Sequence, residues 1–172
     1  MNMRAILVVS VLLALGASGC ASAEPTPTEP AGAGFAIYLP LEDLPIDDVG
    51  DLTQVALADI PVLSMDDILT YDWATHTIEL EPTTAELLDA LELPGRPFVV
   101  TVNQTPIYAG AFMAAFFSRS YDGVVILWPP IDGSRDTLTI QLGYPGEDFF
   151  TGTDPRSDER IREALLQAGR LQ

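Results

Sequence analysis

The sequence predicts an α+β domain over residues 35–172, a mainly antiparallel sheet with two helices packed on one face. Three observations carry this. Short β-branched runs recur between clusters of Gly, Pro, Asn and Asp. Two other stretches carry apolar residues at helical spacing. The order is strands, a central helix, strands again and a closing helix, which is that of an α+β layer.

Taken in order, residues 35–39 form a first strand ended by Pro40. Residues 42–61 are acidic and punctuated by Pro, so they read as irregular loop with at most one helical turn. Ser64-Met65-Asp66-Asp67 reads as a capped turn, with Ser64 accepting from an open backbone N–H. Residues 68–71 and 76–80 alternate around Asp72-Trp73-Ala74-Thr75, which predicts a hairpin. Pro82 fits the first position of a helix, where its missing N–H costs nothing. Leu87, Leu88 and Leu91 make that helix's apolar stripe, and Pro94-Gly95 stops it. Residues 98–102 and 107–112 are strands joined by the turn at Asn103-Gln104-Thr105. Asp122-Gly123 signals another turn before the apolar strand 124–128, which Pro129-Pro130 ends. Residues 137–142 alternate as a half-buried strand. Asp154-Pro155 opens the closing helix, whose buried face is Ile161, Ala164, Leu165, Ala168 and Leu171.

The N-terminus carries an address. Arg4 precedes an apolar stretch over residues 5–15, too short to cross a bilayer core of about 30 Å as a helix. Small residues then lead to the single cysteine in the order Ala17-Ser18-Gly19-Cys20. This resembles the lipobox of bacterial lipoproteins, with Ala17 where that family usually has Leu. The resemblance implies a signal peptide over 1–19, lipid on Cys20, and export to the outward face of the cell membrane. Ala21-Ser22-Ala23 fits ordinary signal peptidase instead and would give a secreted or periplasmic soluble protein. Residues 20–34 are dense in Pro and Gly and read as a tether. With no second cysteine, the single domain must hold itself by core burial.

Charge narrows the partners. There are 25 Asp+Glu against 8 Lys+Arg, with no lysine, and the net charge is −17. Such a surface is repelled by nucleic acid and anionic headgroups. Chemistry is sparse as well. His76 is the only imidazole and reads as a strand histidine, so no His-dependent nucleophile is assembled. Zinc lacks its ligands. Calcium has two candidate acidic loops, at 47–51 and 132–136, neither with EF-hand spacing. A carboxylate pair for hydrolysis depends on three-dimensional distance. No catalytic residue, metal site or cofactor is assigned.

The middle of the chain resembles the periplasmic head domain of the SecD/SecDF export factors. Leu80-Glu81-Pro82-Thr83-Thr84-Ala85-Glu86-Leu87-Leu88 is similar to that domain's strand-into-helix segment, and residues 98–109 are similar to its hairpin. The order is the same and the spacing similar. The resemblance implies a ferredoxin-like layer and contact with translocating polypeptides, although the transmembrane helices of those factors have no counterpart here.

The functional expectation is therefore a lipid-anchored, non-catalytic module that binds a protein partner or extended peptide, accessory to export if the resemblance extends so far. The expected contact surface is the edge strands together with Phe112, Phe116, Phe117, Arg119 and Tyr121. The aromatics would hold apolar groups and Arg119 a carboxylate or carbonyl. A ligand- or Ca²⁺-binding accessory protein and a carboxylate hydrolase are the alternatives.

Overall fold

A computed structural model describes residues 32–172; the expected signal peptide, Cys20 and residues 21–31 of the expected tether lie outside the described residues. The architecture is α+β and rich in strand. Seven strands form one mixed sheet: β1 (Phe35–Tyr38), β2 (Ile68–Asp72), β3 (Thr77–Leu80), β4 (Pro97–Val102), β5 (Thr105–Met113), β6 (Tyr121–Leu127) and β7 (Thr137–Tyr144). Two short helices accompany them, α1 (Thr84–Asp89) and α2 (Glu159–Gln167).

The strand order is β1-β4-β5-β6-β7-β3-β2. Every neighbouring pair is antiparallel except β5–β6. The β4–β5 turn is tight because Asn103 and Gln104 both take left-handed backbone, with φ of 50° and 63°. Positive φ at both central positions is the type I′ turn, whose twist matches that of the flanking strands. The parallel pair needs the chain to cross back, and residues 114–120 do so without a helix.

Both faces of the central sheet are covered, which explains why β4 and β6 read as near-continuous apolar runs. Phe98, Phe112, Val124 and Ile126 face the larger core together with Leu88 of α1 and Ile161 and Leu165 of α2. Both helices thus pack into one core. Ala111, Met113 and Val125 point the other way, into a smaller core closed by Ile46 and Tyr144. Alternate residues of one strand serve the two cores, as the period of two requires.

Neither edge of the sheet is open along its length. On β1, Leu63 O accepts from Ile37 N–H at 2.8 Å, and Val62 N–H donates to Ile37 O at 2.8 Å. On β2, Tyr71 N–H donates to Arg170 O at 2.7 Å, and Gln172 N–H donates to Tyr71 O at 2.9 Å. Segments 62–63 and 170–172 therefore occupy backbone groups that would otherwise recruit another chain.

Several local expectations are corrected. The first helix begins at Thr84, with Thr83 as its N-cap, so Pro82 precedes it. The closing helix begins at Glu159, with Asp158 as its N-cap accepting from Arg160 N–H and its carbonyl accepting from Arg162 N–H; Asp154 makes the same side-chain contacts with Arg156 but lies outside the helix. Ser64 does cap its turn, in a reciprocal capping box with Asp67, which accepts from Ser64 N–H at 2.8 Å and from the Ser64 hydroxyl at 2.6 Å. Asp122-Gly123 belongs to β6, at a register shift against β7. His76 is the last residue of the β2–β3 turn, with φ of 53°, and not a strand residue.

Candidate functional site

The expected aromatic surface does not form as a patch. Phe112 is 1 % exposed and stacks at 5.1 Å on Phe98 inside the larger core. It sits on β5 with Val124 and Ile126 beside it, so its side is fixed by the pleat. Phe116, Phe117 and Arg119 lie on the crossover after β5, and Tyr121 opens β6. Phe117 packs partly against the smaller core, Tyr121 is half-buried, and Arg119 is held by Asp47 at 2.7 Å. Tyr144 anchors the crossover, its hydroxyl 3.0 Å from the carbonyls of Ala114 and Phe117. Only Phe116 projects, 81 % exposed. A single exposed ring is ordinary on a soluble surface.

The acidic loops are self-contained. Asp47 is paired with Arg119, Asp51 accepts from Thr53 and Gln54, and Asp132 accepts from Ser134 N–H. Among the described residues, no group of three or more His, Cys, Asp or Glu converges to hold a metal ion.

His76 is enclosed. Its Nδ1 lies 2.9 Å from the Tyr71 hydroxyl, and the Trp73 ring packs edge-on at 5.7 Å. Burial lowers its pKa; Arg156 acts in the same direction, while Asp154 and Asp72 oppose it. Below about pH 6.5 the unfolded chain then binds a proton that the folded chain resists. Stability is therefore full above that value and is lost as pH falls through the folded pKa. His76→Asn, which tolerates positive φ, is expected to remove this slope between pH values of about 7.5 and 5. Thermal unfolding of both chains across that range checks it; parallel curves would exclude a titrating His76.

Elsewhere among the described residues a groove does form, and sequence reading missed it. A groove of about 720 Å³ runs between α1, α2 and the segment at residues 60–67. That size is within the usual range for ligand clefts, about 300–1,000 Å³. Its walls follow from the helix register. Thr84, Ala85 and Leu88 turn into the core, which leaves Leu87 (61 % exposed) and Leu91 (37 % exposed) on the adjacent face. Expected as buried stripe residues, these two line the groove instead. A helix of only two turns cannot bury three leucines spread over two faces. Opposite them, Ala164 and Ala168 of the α2 segment are small and leave the space open, with Ile60 forming a further apolar wall.

The N-terminal lead forms part of the same wall. Gly34 N–H donates to Asn103 Oδ1 at 2.8 Å, and Asn103 N–H donates to Gly34 O at 2.8 Å. At Gly34, φ is +71°, and an added Cβ would come within 2.9 Å of Met65 Cε, so glycine lets the chain pass there. Two carboxylates lie on the groove. Asp67 is engaged internally by Ser64 and by Thr84 Oγ1 at 3.1 Å. Asp66 is exposed. No arginine or histidine lines the groove among the described residues.

The described residues contain no helix long and apolar enough to cross a membrane. No protein-family model matches the chain, and comparison with curated proteins and with solved structures gives no match either.

Proposed function

We propose that this chain is a lipid-anchored, non-catalytic binding module of the cell envelope, which holds an apolar segment of a protein partner in the α1–α2 groove. The observation that carries the reading is the groove itself, whose walls are set by Leu87, Leu91 and Ile60 left in solvent by a well-packed domain. Exposed apolar concavities of this kind serve recognition. Anchoring through Cys20 rests on the lipobox-like residues before it, and the tether would leave the domain at the groove wall, where Gly34 is pinned to Asn103. The finer fold reading, a layer shared with the SecD head, rests on β3 running into α1 and on the β4–β5 hairpin that follows. An accessory role in protein export is what that resemblance would add.

A photo-reactive residue at Leu87 tests the reading in intact cells. The expected result is a discrete adduct in the membrane fraction, identified by mass spectrometry, that is depleted in a Cys20→Ser background. An adduct from Phe116 with none from Leu87 would return the contact surface to the crossover. An adduct whose membrane fraction is unchanged by Cys20→Ser would remove the anchor.

A further inference from the structure

Resting on the reading of the groove as a docking site, we infer that its occupant is an apolar protein segment flanked by lysine or arginine, with the basic flank placed against Asp66. Leu87, Leu91 and Ile60 supply apolar contact, and Ala164 and Ala168 provide room for side chains to enter. Recognition must come through such side-chain anchors, because residues 62–63 and 170–172 already occupy backbone positions at the sheet edges. That disfavours strand addition and leaves the apolar-face-in-groove mode.

Charge selects among apolar occupants. The two carboxylates of the groove meet no cationic side chain in its lining. Asp67 already accepts three hydrogen bonds, from Ser64 N–H, Ser64 Oγ and Thr84 Oγ1. Asp66 has no hydrogen bond or ion pair among the described residues, so its carboxylate is available at the rim. An occupant that ends in a carboxylate or phosphate, such as a fatty acid or anionic lipid, would meet like charge there. A second copy of the chain would bring the same carboxylate and a net charge of −17. A basic flank satisfies the rim and is drawn in by the field of the whole domain.

The test uses the full chain in phosphatidylcholine vesicles and labelled synthetic peptides. Each peptide has the same short Leu/Ala run, flanked at one end by two lysines or by two glutamates. Anisotropy is expected to show saturable binding of the lysine peptide, at least about tenfold tighter than the glutamate peptide. Leu87→Asp should abolish it. Asp66→Asn should weaken it by about two- to fivefold, the size of one exposed charge pair. Asp132→Asn, away from the groove, should leave it unchanged. Equal weakening by both Asn variants would assign the attraction to the overall field and overturn the Asp66 contact. Equal binding of the two peptides, lost in Leu87→Asp, would overturn the basic flank while leaving the groove as a docking site. No binding, or binding insensitive to Leu87→Asp, would overturn both.

Discussion

Gly110→Val is expected to prevent the sheet from assembling. Gly110 sits on β5 between Phe98 of β4 and Val124 of the parallel strand β6. A Cβ there would come within 2.4 Å of Phe98 Cζ and 2.5 Å of Val124 O. The ring could rotate, but the carbonyl belongs to the ladder and cannot withdraw without breaking it. Overpacking in a core costs about 1–3 kcal/mol when side chains can adjust. Here backbone must move too, so Gly110→Val should exceed that range and be recovered as insoluble protein. Gly110→Ala isolates the cause. It should be destabilised in urea, and adding Phe98→Leu should restore only part of the loss, because the carbonyl contact remains. A urea midpoint for Gly110→Ala equal to that of the unsubstituted chain would show that neither contact restrains this position.

Leu165→Ala should cost about 2–5 kcal/mol, as buried leucine truncations do. Only Ile161 and Leu165 of α2 are fully buried, so this helix is held to β1 and β4 by a narrow anchor. The loss should extend along the chain. Once α2 loosens, Ala164 and Ala168 no longer bound the groove, and residues 170–172 lose their hold on β2. Amide exchange at Tyr71 and Trp73, whose N–H groups donate to Arg170 O and Gln172 O, should accelerate more than that of central strands. Leu166→Ala, on the exposed face, should change stability by no more than about 0.5 kcal/mol. Similar exchange at Tyr71 in both variants would mean that the edge pairing is independent of α2.

Much of the element content was legible before any coordinates. The hairpins read around turns 72–75 and 103–105, the strands read at 35–39 and 137–142, and the closing helix all exist within a few residues of those bounds, as turn chemistry and periodicity imply. The departures have specific causes. Phe112 lies in an apolar run that continues to Phe117, and periodicity does not say where a buried strand ends and a surface crossover begins. Asp154 and Asp158 make the same contacts with the arginine two residues on, and only Asp158 O goes on to accept the first intrahelical N–H, from Arg162, which local sequence does not reveal. Leu87 and Leu91 have the spacing of a buried stripe, but which face turns inward depends on where α1 starts. That single uncertainty concealed the groove. The strand order was not readable, since nothing local marks β3 as the neighbour of β7. At Gly110 the close approach that glycine permits within a strand is made by a carbonyl of β6, which the local sequence does not identify.

The closed edges of the sheet also set a timetable. Leu63 reaches β1 soon after that strand is made, whereas Tyr71 waits for Arg170 and Gln172, which are synthesised after every other strand. During that interval β2 presents bare amides and carbonyls while the rest of the sheet condenses. A nascent chain meets this interval among other unfolded chains, where an unpaired edge invites the wrong neighbour. For a newly made copy, the hazardous moment is thus the wait for residues 170–172, and a chaperone that masks strand edges would matter most then.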